Sequence, residues 1–447
     1  MSAPARGSGP RVIVVGAGVV GLSCAYYLAR GGADVLVLER DEVGAGASSG
    51  NAGTVSAGHP PLNRPGRVAA ALRQMVDPTS PLYVKPRWDP ELWRWLYGFA
   101  RHCTDAHVEH AMRVMAPLGK DALSLFGGLV DDEGIECEYR PMGYFDVCAT
   151  EEGLANARHE AALIERYEYH PEVLDGDGLR KREPAFAGDL VGAVYYPEAA
   201  VLRPSLFLAG LGAAVRRWGG QIREGVTVHA LQLRGGRAVG VRAREVERVT
   251  AKRPYAGYEE NPGLSVRSGE VLLGGDHVVL ATGPFAKHLA AQVGVRLPVQ
   301  PGKGYHRDIE VGPNGAPAIG VACVLNESSV FCTPMDTFVR FAGTMEFSGM
   351  NRVMRPARLR QLTRAAKKAF PDLGTAMPRS EWVGLRPMSM DGLPIVGAPG
   401  GVQGLSVATG HGMLGLTLGP VTGDIIANLV LNGGDVRAEP LSPDRFE

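Results

Sequence analysis

The sequence predicts an α/β protein: a Rossmann-like dinucleotide-binding domain assembled from discontinuous segments, joined to a mixed α+β second domain. Three observations predict it. An apolar run at 11–15 leads into Gly16-Ala-Gly-Val-Val-Gly21 near the start of the chain. Two more apolar runs ending in small residues, His277-Val-Val-Leu-Ala-Thr-Gly283 and the segment 405–415, lie far downstream. Between them, stretches such as 330–331 and 338–341 alternate apolar and polar positions, as half-buried antiparallel strands do.

Composition bounds the rest. The 447 residues suggest two or three domains at roughly 150 residues each. Lys+Arg and Asp+Glu both number 47, which argues against a nucleic-acid binder. With 45% hydrophobic and 21% charged residues the chain can bury a core. Its 60 glycines are about twice the usual ~7%, so they demand a structural reason. The six cysteines, Cys24, Cys103, Cys137, Cys148, Cys323 and Cys332, include no Cys-x-x-Cys pair. They suggest neither a metal site nor a disulfide framework, and fit a reducing, cytoplasmic setting.

The first unit reads as strand 11–15, turn 16–21, helix 22–30 and strand 35–38. Its uncharged stretch from Val12 to Ala29, following Arg6 and Arg11, could pass for a secretory signal or membrane span. The glycine spacing and the second strand favour the strand-turn-helix-strand reading. Gly16 permits the tight turn, Gly18 lets backbone approach a pyrophosphate, and Gly21 lets helix pack closely on strand. The helix N-terminus offers N–H groups and partial positive charge to phosphate. Glu39, 18 residues after Gly21, is placed to accept hydrogen bonds from a ribose. The long small-residue loop 40–56 that follows suits a large buried cofactor, FAD rather than NAD.

These pieces together resemble the D-amino acid oxidase superfamily of FAD-dependent oxidoreductases, most closely its D-amino acid dehydrogenase branch, with glycine and sarcosine oxidases as relatives. The resemblance covers nearly the whole chain. It rests on 16–21 with Glu39-Arg40, Ala47-Ser-Ser-Gly-Asn-Ala-Gly53, the segment 80–89, Gly302-Lys-Gly-Tyr305, Gly384-Leu-Arg-Pro387 with Asp391-Gly-Leu-Pro394, and Thr409-Gly-His-Gly-Met-Leu-Gly415. It implies FAD contacts at Gly16, Ala17, Gly18, Val20, Gly21, Glu39, Arg40, Ser48, Asn51, Ala52 and Gly53. It adds Val228 at the adenine edge and Ala281 and Gly283 on the pyrophosphate side. It sets Gly410, His411, Gly412, Met413 and Leu414 against the pyrimidine end of the flavin, where a helix N-terminus would stabilise negative charge. His411 reads either as a donor in that turn or as a helix cap. No cysteine occurs in the strand where some relatives attach flavin, so FAD is expected to be non-covalent.

The resemblance also implies that Arg386 holds a substrate carboxylate in a bidentate pair; a structural salt bridge is the competing reading. Tyr305 is expected to assist with the carboxylate and His306 to adjust substrate charge, although the branch usually carries a small polar residue where His306 stands. Lys303 reads either as a positioner of flavin or water near N5 or as an exposed strand-end lysine. The implied reaction is oxidative deamination of a free amino acid, of D configuration, by hydride transfer from Cα to flavin N5. The resulting imino acid hydrolyses to a 2-oxo acid and ammonia, and oxygen or a quinone takes the electrons. Rival readings are a glycine, sarcosine or proline-type oxidase, an amine oxidase tailoring a biosynthetic intermediate, and a non-catalytic flavin-binding protein.

Residues 1–60, 203–290 and 382–447 are assigned to the FAD-binding domain, and 61–202 and 291–381 to the substrate domain. Two segments stand apart. Glu91-Leu-Trp-Arg-Trp-Leu-Tyr-Gly-Phe99 is an aromatic-rich helix that either buries one face or makes peripheral contact with the cytoplasmic side of a membrane. Segment 244–268 is polar and reads as a surface loop insertion.

Overall fold

The computed structural model describes residues 9–447 apart from 59, 76, 78–79, 249–263, 267–268, 311–318 and 374–377. Strand Arg11–Val15 is buried along Val12 to Val15 because its apolar run must face packed layers on both sides. It pairs in parallel with Asp34–Leu38 on one side and His277–Leu280 on the other. The sheet runs in the order Ile395–Gly397, Leu405–Thr409, His277–Leu280, Arg11–Val15, Asp34–Leu38, Gln221–Arg223. Three distant parts of the chain therefore build one layer. Helix Val19–Arg30, with Gly18 as its N-cap, starts earlier than the sequence suggests and packs against Gly415–Leu431 and Pro204–Arg217.

A second, larger sheet has the order Pro378–Ser389, Val299–Glu310, Phe338–Phe347, Val330–Pro334, Cys323–Leu325, Tyr144–Cys148, Gly192–Tyr196, Glu172–Asp175, with Leu82–Val84 added in parallel to Phe338–Phe347. Pro378–Ser389 is hydrogen-bonded along its length to Val299–Glu310. Arg386 thus belongs to this second sheet, and the C-terminal segment enters the dinucleotide layer at Ile395 and not at the expected 382. The reason is continuity of pairing: a strand cannot change sheets midway without a break in its ladder. A small sheet of Val226–Arg234, Arg237–Arg248, Leu264–Val266 and Val271–Gly274 projects between strands of the first layer. The expected surface loop at 244–268 is partly strand, since Val246, Glu247 and Arg248 pair with Val266, Ser265 and Leu264; its other part, 249–263 and 267–268, lies outside the described residues.

The aromatic-rich segment forms helix Pro90–Arg101, capped by Asp89 accepting from Leu92 N and started by a proline. It buries Leu92 and Trp95 and exposes Trp93 and Tyr97, with Trp88 exposed just before it. Among the described residues no helix is long and apolar enough to cross a membrane.

Candidate active site

One cavity of about 1490 Å³ opens between the two sheets. That exceeds the roughly 300–1,000 Å³ of ordinary ligand pockets, and is large enough for a dinucleotide with a small substrate beside it. Its wall brings together Gly16, Gly18, Val20, Glu39, Arg40, Ser48, Asn51, Ala52, Val228, Ala281, Gly283, His411, Gly412, Met413, Leu414 and Arg386, which lie far apart in sequence. Ala17, Gly21, Gly53 and Gly410 stand behind this wall. A Cβ on Gly21 would lie 2.0 Å from Gly16 O, so glycine there lets the helix meet the first strand. Glu39 is buried, with Oε2 accepting from Ala17 N at 2.8 Å and Oε1 from Asp41 N at 2.9 Å. Burial raises its pKa, although those two N–H groups oppose the rise. Ser48 Oγ accepts from Val19 N at 2.9 Å, which holds the 40–56 loop over the first helix.

The same loop is clamped from the second sheet. Arg340 pairs with Asp308 (Nε to Oδ1 2.8 Å, Nη2 to Oδ2 3.0 Å) and donates through Nη1 to Asn51 O at 2.8 Å. Arg352 Nη2 donates to Ala45 O at 2.9 Å. Sequence reading missed both arginines, because only the three-dimensional approach of the two domains makes them neighbours of the loop.

Arg386 reaches the cavity across Gly304, where a Cβ would sit 2.3 Å from its Cζ. Its Nη1 donates to Thr344 O at 2.7 Å. No carboxylate pairs with it among the described residues, and burial alone lowers its pKa to about 10, so it is a cation at neutral pH. The salt-bridge reading of Arg386 therefore finds no partner.

Three neighbouring expectations need correction. Gly302 pairs with Arg386, Lys303 with Leu385, Gly304 with Gly384 and Tyr305 with Val383. Side chains alternate along a strand, so Lys303 and Tyr305 leave the face opposite Arg386. Lys303 is neither a flavin positioner nor exposed: at 1% exposure its Nζ donates to Asn351 Oδ1 at 2.6 Å and to Glu346 Oε1 at 3.4 Å. Tyr305 borders the cavity, but its hydroxyl donates to Glu346 Oε2 at 2.7 Å and not toward Arg386. His306 shares the face of Arg386, yet its ring stacks on Trp382 and its Nδ1 lies 2.9 Å from Gly50 O. Burial, then the charge of Arg340, lowers its pKa to about 4, so it is neutral. It supports the loop instead of meeting substrate.

His411 does not cap the helix that follows, whose N-cap is Leu414. Its Nε2 lies 2.9 Å from Thr422 Oγ1, while the buried Nδ1 has no partner among the described residues. Burial lowers its pKa to about 4. The turn is fixed to the Arg386 strand by Gly412 N donating to Pro387 O at 2.8 Å. Helix Gly415–Leu431 follows, its first residues on the cavity wall.

Residues 11–429 match the FAD dependent oxidoreductase family. The chain belongs to that family. It is 33% identical over 444 residues to a D-amino acid dehydrogenase of Methylobacterium nodulans, covering 98% of this chain and 99% of the relative. The fold is similar to that of glycine oxidase from Geobacillus kaustophilus, with TM-score 0.72, 22% identity and 98% of each chain covered. It is also similar to an L-amino acid deaminase from Proteus myxofaciens in complex with anthranilate, with TM-score 0.70, 16% identity, and 100% of this chain and 96% of the other covered.

The wall fits FAD on its own chemistry. A glycine turn stands at a helix N-terminus, Glu39 lies just past the adjoining strand, and Thr282 Oγ1 and His411 Nδ1, in two residues that line the cavity, are buried without a partner among the described residues. Gly16, Gly18, Val20 and Ser48 could hold the pyrophosphate, Glu39 and Val228 the adenosine, and 411–414 the flavin. None of the six cysteines lines the cavity. Among the described residues no group of three or more His, Cys, Asp or Glu could hold a metal ion.

Proposed function

We propose that the protein is an FAD-dependent dehydrogenase or oxidase of a free amino acid of D configuration. The observation that carries this reading is Arg386, a partly buried guanidinium on the cavity wall that pairs with no carboxylate among the described residues. A charge held on a cavity wall without an opposite charge beside it is costly, so its position is best explained by an anion that arrives as ligand. The D-amino acid dehydrogenase relative, matched over nearly its full length, supports an α-amino carboxylate as that ligand.

Arg386 binds the carboxylate through its planar fork while Thr344 O holds the guanidinium in register. Its positive charge disfavours the ammonium form of the nearby substrate amine, which promotes the neutral amine that oxidation requires. His411 and His306, both neutral, add no competing charge. FAD, when bound, would supply the acceptor for the Cα hydride, and water would hydrolyse the imino acid released. Orientation of the substrate in the cavity carries the rate.

The test is anaerobic bleaching of the flavin absorbance by D- and L-amino acids, glycine, sarcosine and proline, then reoxidation by oxygen or a quinone analogue. Bleaching by D-amino acids is expected. Bleaching only by glycine, sarcosine or proline would transfer the assignment to that class, and no bleaching at all would end the enzymatic reading. The reoxidant separates oxidase from dehydrogenase. Anthranilate, an amino carboxylate with no hydride at its α position, is the matching unreactive probe of the carboxylate site.

A further inference from the structure

We infer that Thr344 forms the second half of the substrate carboxylate seat, its hydroxyl facing the same oxygens that Arg386 binds; this rests on Arg386 being the carboxylate anchor. Thr344 lies in Phe338–Phe347 with φ of 62°. Among the described residues it is one of four non-glycine positions with positive φ, the others being Glu138, Glu168 and Ser329, and it alone is β-branched. A β-branched side chain in the left-handed region is a true outlier that the surroundings must impose.

The cause is a register shift. Lys303 pairs with Glu346 but Tyr305 pairs with Gly343, so residues 344 and 345 together face Gly304. Such a bulge redirects the groups of its extra residue. Here it turns Thr344 O onto Arg386 Nη1 at 2.7 Å. It also leaves Thr344 Oγ1 buried without a partner among the described residues, in a residue 5% exposed on the cavity wall. A buried hydroxyl without a partner is costly, and glycine would meet the backbone requirement without either penalty.

Thr227, Thr282 and Ser389 also carry orphaned hydroxyls on the wall, but none of them is bonded to Arg386. The carbonyl and hydroxyl oxygens of one threonine lie within roughly 5 Å of each other by bond geometry. A carboxylate hydrogen-bonded through both oxygens spans roughly 7 Å, so one ligand can reach Arg386 and Thr344 Oγ1 together. The ligand class is an α-amino carboxylate, held by a cationic fork on one side and a neutral donor on the other.

The experiment titrates the holoenzyme with anthranilate and with anthranilamide, its uncharged analogue, and follows the flavin spectrum. Thr344→Val should weaken anthranilate about tenfold, as loss of a hydrogen bond to a charged group does, and leave anthranilamide within about twofold. Thr344→Ser should bind anthranilate like the parent protein. Thr344→Gly suits the left-handed backbone and lacks the hydroxyl, so it should keep its thermal stability and lose anthranilate affinity as valine does. Unchanged anthranilate affinity in a folded valine or glycine variant, or a serine variant as weak as valine, would overturn the inference. Arg386→Lys tells the two ideas apart: if it too binds anthranilate normally, the anchor reading has failed, whereas a weak lysine variant beside a normal glycine variant refutes Thr344 alone.

Discussion

The paired strands Val299–Glu310 and Pro378–Ser389 carry buried charge on both faces, and the two faces differ in one respect. Behind the sheet, Glu346, fully buried, meets Lys303, Arg355 at 3.2 Å and Arg358 at 3.5 Å and accepts from Tyr305. Burial raises the Glu346 pKa, but Ser348, Lys303 and Tyr305 outweigh that and hold it below the usual carboxylate range. In front, Arg386 has among the described residues only carbonyl and thioether partners, Thr344 O and Met345 Sδ. One face satisfies its charges internally and is structural. The other keeps a charge unsatisfied, and that deficit marks where a ligand belongs.

The largest expected effect separates the faces by sign. Arg386→Met, which preserves much of the side-chain length without charge, should lower kcat/KM for amino acids about a thousandfold, roughly 4 kcal/mol of transition-state binding. The same substitution should leave thermal stability unchanged or raise it by about 1 kcal/mol, since it removes an uncompensated charge from the cavity wall. A destabilised variant with normal kinetics would show that Arg386 is structural after all. Glu346→Gln should do the reverse: it removes the anion facing three cations and should cost about 3 kcal/mol in chemical denaturation. The folded fraction should retain near-normal kcat/KM.

A third test uses pH. His306, in front, has a pKa of about 4 when folded against an ordinary value of 6.5. Below pH 6.5 the unfolded chain takes up the proton while the folded one does not, so stability is lost as pH falls from 6.5 to 4. That difference corresponds to about 3 kcal/mol. His306→Gln should flatten the fall in Tm across that window relative to the parent protein. His277 and His411, each lowered to about 4, should sustain the remaining slope. An unchanged slope in the variant would mean that His306 is protonated in the fold, beside Asp308.

What was legible in the sequence follows from how local each signal is. The glycine turn, Glu39 and Arg386 sit in short patterns whose meaning depends on adjacent residues, and all line the cavity. Lys303 lies within the Gly302-Lys-Gly304 motif and Tyr305 and His306 follow it, but a strand sends neighbours to opposite faces. Their parity relative to Arg386 depends on cross-strand register, which sequence alone does not carry. One clue was present: glycines at 302 and 304, two apart, mark a face kept bare for a close approach, and Arg386 lies across it. The bulge at Thr344 had no such clue, because it exists only as a mismatch between two ladders. The domain boundary at 382 failed for the same reason, since pairing and not composition assigns Pro378–Ser389 to the second sheet.

The smallest expected effect is the most discriminating for Tyr305, which the family resemblance ties to the carboxylate and the structure ties to Glu346. Its hydroxyl is 2.7 Å from Glu346 Oε2 and the residue is 1% exposed. Burial, then the negative charge of Glu346, pushes the phenol well above its ordinary value, so it remains a neutral donor. Tyr305→Phe removes one donor from a carboxylate that keeps Lys303, Arg355 and Arg358, and should cost about 1 kcal/mol of stability. Anthranilate affinity and kcat/KM should stay within about twofold. A tenfold loss of anthranilate affinity with unchanged Tm would mean that the phenol reaches the ligand, and the division between a satisfied face and a ligand-seeking face would no longer hold at this residue.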